Sequence, residues 1–381
     1  MQLATSEEAT MHGMLAISML YEDFKPAWKR EALDKDAALQ HYNRALRLVA
    51  TSKLQDSVVL VASVLFICIE FLCGNVAPAI THCRHGLLIS KAHVAHDDTL
   101  SAMLQHLSIF PYFFANIEVP LPIPAPRKNC GSTQWSAASE MDELIGRSIR
   151  LVRSLDAYRL GNDDVPLAPD TWQVQAALLK DLSMWKTAYD EALYCPSGID
   201  KRESLLLMRF LVCWIWVNIA PERAESASDI FHPEFARIMD LSHVQTQKAS
   251  RSKFTFEMGM APLLHFVVIK CRHLATRLEA LEAIGTMGNS RESLWDTAVM
   301  YAIGKRIIEK EHGLTVRPGM AAVTAELPDN SSRVLDSYVE DEVLGDLGEN
   351  GVPVWRRRMW FFAREGGVVT KSSCWISTTA M

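Results

Sequence analysis

Four histidines, His82, His85, His93 and His96, have spacings that could support chemistry. At about 100° per residue they share one narrow stripe of a helix, if the helix runs through all of them. Imidazoles titrate near neutral pH and form hydrogen bonds, and two His-x-x-His pairs could also bind zinc. No carboxylate or cysteine is placed to complete a metal site, so we predict no metal. We predict His82 and His85 as catalytic groups, with ordinary packing or surface placement as the alternative.

Two charged residues interrupt the most apolar runs of the chain. Glu70 lies in the run 57–72 and Arg209 in the run 205–220. Both runs are shorter than the ~20 apolar residues that cross a bilayer, which favours buried helices and no membrane association. Because an unpaired buried charge is costly, the two residues could pair with each other. The alternative is a perturbed carboxyl that acts on a substrate.

An arginine and a tryptophan share one face of the second apolar run. Arg209, Cys213 and Trp216 follow helical spacing. A wall of this kind suits an aromatic or oxygenated apolar ligand, through stacking and cation–π contacts, whereas core packing is the alternative. We predict Arg209 as catalytic, with Trp216 and Glu70 as substrate-binding residues.

Aromatic residues also precede the only proline-rich stretch. The sequence IFPYFF at 109–114 is followed by four prolines within 119–132, which enforce an extended connector. Such a connector could cover a groove. We therefore add Tyr112 and Phe113 to the predicted substrate-binding residues.

Apolar residues recur at steps of three and four along most of the chain, and this pattern predicts an all-α fold. We expect a multi-helix bundle of stacked antiparallel helix pairs over residues 1–311. Residues 312–381 are expected to form a short irregular or hairpin extension packed on it. The predicted helices cover 7–21, 36–50, 55–73, 77–94, 98–116, 139–159, 171–194, 202–220, 232–248, 261–271, 273–284 and 291–311.

The composition excludes several classes of protein. The chain has 381 residues, 49% of them apolar, and a formal net charge of −6, so it lacks a global attraction to nucleic acid. Its eight cysteines have no regular spacing, which favours a reducing compartment, cytoplasmic or nuclear. Phosphate-binding loops, nucleophile elbows and HExxH motifs are absent from the sequence, and we predict no cofactor. Three arginines at 356–358 between Trp355 and Trp360 indicate a solvated amphipathic edge or contact with nucleic acid or membrane.

The segment 256–311 resembles the C-terminal part of the fungal-specific domain of zinc-cluster transcription factors. The matching positions are Pro262, Leu263, Lys270, Cys271, Arg272, Arg277, Ala280, Arg291, Glu292, Leu294, Trp295 and Asp296. The first half of the chain is similar to the same family at Glu70, Gly74, Asn75, His82 and Gly86. His273 and Ser293 depart from the family pattern. From the residues alone, we interpret Lys270-Cys271-Arg272 as a helix junction whose cations bond the last carbonyls of a buried helix.

The resemblance implies two alternative functions. Members of that family bind DNA through an N-terminal cluster of six cysteines that begins Cys-x-x-Cys, and this sequence contains no Cys-x-x-Cys. We therefore predict no direct binding of nucleic acid, and a regulatory effector domain is one alternative. The other resembles stand-alone fungal helical proteins linked to hetero-Diels–Alder couplings.

We favour the catalytic alternative. The sequence then predicts a cofactor-independent cyclase or pericyclase of secondary metabolism that acts on an apolar or aromatic small molecule. Such a catalyst needs a cavity that holds two partners and a few polar groups, but no nucleophile or metal. A homodimer is compatible with this prediction.

Overall fold

The computed structural model describes most of the chain in twelve segments. These are residues 7–22, 24, 36–92, 98–114, 137–161, 165–192, 200–246, 253–288, 290–320, 326–340, 342–347 and 353–377. The predicted connector 119–132 and the histidines His93 and His96 lie outside the described residues. The chain forms two compact units, divided after Asp142, and two short later segments, 253–258 and 291–294, belong to the first unit.

The first unit is built from helices that pack on one apolar helix. Its helices are α1 (Glu8–Glu22), α2 (Asp36–Thr51), α3 (Asp56–Cys73), α4 (Val76–Ala92) and α5 (Asp98–Ile109), followed by a 3-10 turn (Phe110–Phe113). The short strands β1 (Phe254–Thr255) and β2 (Arg291–Glu292) pair in parallel.

Two glycines determine how α3 ends and how closely α4 packs. Gly74 caps α3 with φ 77°, a left-handed conformation that a residue with a side chain rarely adopts. The Asn75 N–H then donates to the Glu70 carbonyl at 2.9 Å. On α4, a Cβ at Gly86 would lie 2.9 Å from a methyl carbon of Leu104, so only glycine permits this approach.

The second unit contains the remaining helices and the larger sheet. Its helices are α6 (Ala137–Ser154), which begins in the first unit, α7 (Asp156–Arg159), α8 (Thr171–Ala192), α9 (Lys201–Ile219), α10 (His232–Thr246), α11 (Ala261–Lys270), α12 (Leu274–Thr286) and α13 (Thr297–His312). Two 3-10 turns (Glu225–Phe231 and Asn330–Ser332) and the dipeptide strand β3 (Trp295–Asp296) connect them. Asp200 and Glu203 form a capping box that fixes the start of α9.

The C-terminal sheet has a long central strand. Its strands are β4 (Val334–Val339), β5 (Leu344–Leu347), β6 (Pro353–Glu365) and β7 (Val368–Ser377). β4 and β5 pair antiparallel with different halves of one edge of β6, and β7 pairs with the other edge. Met359, Phe361 and Ile376 point inward and pack against Ile307 of α13. The opposite face of the sheet carries the alternate residues.

The all-α prediction is confirmed for the helices and incomplete for the C-terminus. The described residues include seven strands, and the hairpin that was one of the two forms expected for the C-terminal extension is present at 353–377, within a four-stranded sheet. The apolar alternation at Met359, Phe361 and Ala363 has the two-residue period of a strand. The predicted helix 291–311 begins later, at Thr297, because Asp296 caps it by accepting from Ala298 N at 3.0 Å.

Among the described residues, one helix is long and apolar enough to cross a membrane. By length and composition α3 meets that criterion, but 67% of it is buried inside the protein. A core helix passes the same test, so this finding is weak evidence for a membrane span.

Candidate functional site

A tyrosine, a glutamate and a histidine from three helices form a hydrogen-bonded chain in the first unit. The Tyr42 hydroxyl of α2 donates to Glu70 Oε1 of α3 at 2.6 Å. The same hydroxyl oxygen lies 2.8 Å from His82 Nε2 of α4. Tyr42 and Glu70 are buried, whereas His82 is half-buried. The chain, which we call the relay, therefore runs from a buried carboxylate to a partly accessible imidazole.

The hydrogen bonds assign the protons of the relay. A phenol has one proton, and Tyr42 gives it to Glu70, so the Tyr42 oxygen accepts from His82 Nε2–H. A neutral His82 with its proton on Nε2 has a lone pair on Nδ1. The relay thus supplies a hydrogen-bond acceptor at its histidine end.

Burial keeps the relay in this protonation state. Burial, with a smaller contribution from His85, lowers the pKa of His82 to about 4, so the ring is neutral at pH 7. Burial and the neighbouring Glu70 carboxylate raise the pKa of Tyr42, which keeps its hydroxyl protonated. The edge of Phe66 packs near the His82 ring, with a centroid distance of 5.2 Å. A neutral imidazole on an apolar wall results.

The end of α3 completes the environment of Glu70. Asn75 Nδ2 donates to Glu70 Oε2 at 2.8 Å, so both carboxylate oxygens accept bonds from neutral groups. The turn at Gly74 returns the chain toward α3 and places Asn75 there. The residues of the first half that carry the family resemblance therefore lie in or beside one network.

Sequence analysis did not select Tyr42 as a site residue. A signal was present, because Ala38, Tyr42 and Ala45 form the buried stripe of α2. A tyrosine on a buried stripe usually places its hydroxyl on a polar partner. Residue spacing within one helix cannot show which partner that is.

The other site residues predicted for the first unit are His85, Tyr112 and Phe113. His85 is exposed on α4, one turn after His82. Tyr112 and Phe113 belong to the 3-10 turn after α5, and Phe113 is half-buried. The side chain of Tyr112 lies outside the described residues.

Arg209 and Trp216 lie on α9 in the second unit. Arg209 is buried, and Trp216 is half-buried with its ring in a T-shaped contact with Phe266 at 6.3 Å. Burial raises the pKa of the adjacent Cys213 to about 12, which makes this thiol unreactive at neutral pH. Glu70, which could have paired with Arg209, accepts its hydrogen bonds from Tyr42 and Asn75 within the first unit.

The helix junction at 270–272 is confirmed, and its cations meet buried carboxylates. α11 ends at Lys270 and α12 begins at Leu274. Arg272 donates to the Ile269 carbonyl, as predicted for a cation beside the last carbonyls of a helix. Lys270 Nζ lies 2.7 Å from Glu225 Oε2, and Arg272 Nη2 lies 3.2 Å from the same oxygen. The junction is therefore structural.

A second buried glutamate extends this network. Arg277 Nη1 lies 2.6 Å from Glu311 Oε2, and Arg272 Nε lies 3.4 Å from that oxygen. The other oxygen of Glu311 accepts from the Val334 N–H at 2.8 Å, which ties the start of β4 to α13. Arg159 also reaches Glu225, at 3.1 Å. We call the contacts of Glu225 and Glu311 the ion network.

His106 forms a third polar cluster, in the first unit. Its Nδ1 lies 2.6 Å from Asp142 Oδ2 and its Nε2 lies 2.6 Å from Glu257 Oε2. Burial alone would lower its pKa, but the hydrogen bonds to the two carboxylates outweigh burial and raise the pKa to about 9. His106 is therefore a cation at neutral pH, with both nitrogens engaged.

Within the described part of the chain, no group of three or more His, Cys, Asp or Glu residues could hold a metal ion. Comparisons of the chain with protein-family models, with curated proteins and with solved structures find no match.

Proposed function

We propose that this protein is a zinc-cluster-free relative of the fungal transcription-factor domain that catalyses a cofactor-independent cyclisation of hetero-Diels–Alder type in secondary metabolism. The observation that carries the proposal is the relay, in which buried Tyr42 and Glu70 orient the neutral imidazole of His82. Supporting it, the resemblance of the sequence reaches Glu70, Asn75 and His82 in the same network.

The relay would act on an oxygenated apolar substrate through His82 Nδ1. An enol or phenol that donates to this nitrogen gains electron density in its conjugated system, which favours bond formation with an electron-poor partner. Tyr42 and Glu70 would stabilise the positive charge that grows on the imidazole as it accepts the proton. In the cycloaddition itself three π bonds become two σ bonds and one new π bond, and the proton shared with His82 returns to the product oxygen. No group leaves and no electrons are supplied from outside, so neither metal nor cofactor is required.

Orientation of the two partners would supply the rest of the rate enhancement. Holding reactants in a reacting geometry can contribute up to ~7–11 kcal/mol. We assign Phe113, with Tyr112, as apolar contacts for the substrate in the first unit. Arg209 and Trp216 remain proposed substrate contacts that belong to the second unit.

The test is deletion of the gene in the organism that encodes it, followed by complementation. We expect deletion to remove one product and to accumulate its uncoupled precursors or their water adducts, while neighbouring transcripts persist. The wild-type gene and the control His243→Ala, an exposed histidine of α10, should restore the product. The variants Tyr42→Phe and His82→Ala should fail to restore the product. The variant His85→Ala tests whether this exposed histidine takes part in the reaction. Full restoration by both relay variants would contradict the proposal.

A regulatory effector domain is the second candidate, supported by the resemblance of 256–311. The same deletion separates the two functions. If transcripts of neighbouring genes collapse together with the product, the regulatory function is supported, and the catalytic proposal is rejected when the precursors fail to accumulate.

A further inference from the structure

The outer face of the C-terminal sheet carries both aromatic and basic side chains. On β6, Arg356, Arg358, Trp360 and Phe362 share the face opposite to the buried Met359 and Phe361. Their cross-strand neighbours extend the same face. These neighbours are Tyr338 on β4 and Lys371, Ser373, Trp375 and Ser377 on β7. We call this surface the aromatic face.

The rings of the aromatic face are accessible and partly aligned. Tyr338 is 42% exposed and Trp375 is 45% exposed, which is high for large aromatic side chains. Tyr338 and Trp360 lie nearly parallel, with an interplanar angle of 18° and a centroid distance of 6.4 Å. Flat rings presented on neighbouring strands provide stacking platforms.

Cations lie directly beside these rings. Lys371 Nζ sits 3.9 Å from the centroid of Trp360 and donates to the Tyr338 hydroxyl at 2.7 Å. The Arg358 guanidinium lies 5.0 Å from the centroid of Trp375. Lys371 and Arg358 therefore lie beside rings on which a planar ligand could stack. From there they can reach an anionic group of the same ligand.

The carboxylates of this surface lie toward β4. Asp336 pairs in register with Phe362 and accepts from its neighbour, the Ser337 N–H. Glu340 follows β4 and accepts from Trp360 Nε1 at 2.6 Å. The side of β6 and β7 that holds Arg356, Arg358 and Lys371 is consequently the basic side, although the whole chain is acidic.

We propose that the aromatic face binds single-stranded nucleic acid. Unpaired bases stack on exposed aromatic rings, and their phosphates pair with adjacent Lys and Arg side chains. An acidic peptide would use the cations but not the rings, and a base-paired duplex hides the faces of its bases. A zinc cluster recognises duplex DNA through a helix, which is a different mode of binding. This inference is independent of the relay and of the proposed catalysis.

The experiment is fluorescence anisotropy of the full chain with labelled 12-nucleotide oligouridine and oligodeoxythymidine over a series of salt concentrations. Trp375→Ala removes an exposed ring and Lys371→Ala removes an exposed cation. Matched controls come from α8, where Trp172 is 53% exposed and Lys180 is also exposed.

We expect Trp375→Ala to weaken binding about fivefold or more, the scale of one lost base–ring stack. Lys371→Ala should reduce the slope of log affinity against log salt by about 0.7, the value of one phosphate contact on a single strand. Trp172→Ala and Lys180→Ala should change neither quantity. Circular dichroism of each variant confirms that the fold is retained.

Four outcomes would overturn the proposal. The first is no binding at low salt, and the second is equal binding of a duplex of the same length. The third is an equal loss of binding affinity in the control variants of α8, Trp172→Ala and Lys180→Ala. The fourth is binding to vesicles that contain anionic lipid but not to the oligonucleotides, which would assign the face to membranes instead.

Discussion

The relay and the ion network both bury glutamate, but they satisfy it in opposite ways. Glu70 accepts from the neutral groups of Tyr42 and Asn75. Glu225 and Glu311 lie against arginine and lysine. Neutral donors leave the relay with protons that can move from its half-buried histidine toward Glu70, whereas ion pairs fix every charge in place. The difference separates a site suited to proton transfer from one suited to holding helices together.

The electrostatics follow the same division. Burial alone would raise the pKa of Glu225, but Lys270, with Arg159 and Arg272, lowers it to about 2. Burial lowers the pKa of Arg277 to about 10, which still leaves it charged at neutral pH. Glu225 therefore stays ionised and Arg277 stays charged at neutral pH, so neither exchanges a proton there. We conclude that the junction residues which carry the resemblance in 256–311 serve stability.

Breaking the ion network should have the largest effect on stability. Glu311→Gln removes the carboxylate charge that faces Arg277 and Arg272 while keeping the size of the side chain. We expect the free energy of unfolding to fall by about 3–5 kcal/mol, because buried Arg277 loses its carboxylate partner and Arg272 keeps only Glu225. Urea denaturation measures the change. The matched control is Glu279→Gln, whose exposed pair with His243 should contribute less than about 1 kcal/mol.

Disrupting the relay should lower stability less than disrupting the ion network does, and it should impair function more. Tyr42→Phe removes one hydroxyl and leaves His82 Nε2–H and Glu70 Oε1 without it. We expect a loss of about 1–3 kcal/mol in the same denaturation experiment. Imidazole nitrogen NMR should show that His82 no longer prefers the Nε2–H tautomer. An unchanged tautomer in this variant would contradict the proton assignment and weaken the contrast between the relay and the ion network.

The pH dependence of stability should have opposite signs on the two sides of pH 6.5. The pKa of His106 rises from 6.5 to about 9 on folding, so its stabilisation is present below 6.5 and is lost as pH rises through 9. Burial lowers the pKa of His82, His265 and His312 to about 4, so stability also falls as pH drops from 6.5 to 4.

The measurement is urea unfolding at a series of pH values. We expect His106→Gln to lose about 1–3 kcal/mol at pH 6 and to flatten the alkaline side of the profile only. A flattened acid side, or an unchanged alkaline side, would show that another group is responsible.

A helix cap outside both networks should give the smallest effect. The Asp200 carboxylate accepts from the Glu203 N–H at 2.8 Å, and the Glu203 carboxylate accepts from the Asp200 N–H. Asp200→Ala should lower the free energy of unfolding by about 1 kcal/mol, the usual value of an N-cap. A loss as large as that of Glu311→Gln would remove the contrast between a local and a networked carboxylate.

Most helices and two of the three relay residues, Glu70 and His82, could be predicted from the sequence. The three- and four-residue spacing of apolar residues predicts the helices. Glu70 stands out because it is a charged residue inside an apolar run. Tyr42 could not be assigned as its partner, because helical spacing describes one helix and the bond joins two. The same limit applies to Glu225 and Glu311, which are brought to the helix junction only by tertiary packing.

The C-terminal sheet shows a different limit. The inward residues of β6 alternate clearly, but its outer face is also rich in aromatics, so the contrast between the two faces is weak in the sequence. The helix predicted over 291–311 extended too far for a related reason. Helical spacing continues through Trp295, whereas the cap at Asp296 decides where the helix starts.

The turn between β6 and β7 has a consequence for the order of folding. Gly366 and Gly367 both have positive φ, 57° and 84°, which is the backbone of a tight two-residue hairpin turn. Loop closure over two residues costs little entropy, so this hairpin can align its strands on a microsecond scale, before the distant β4 joins them. This segment therefore carries the register between β6 and β7 in its own turn.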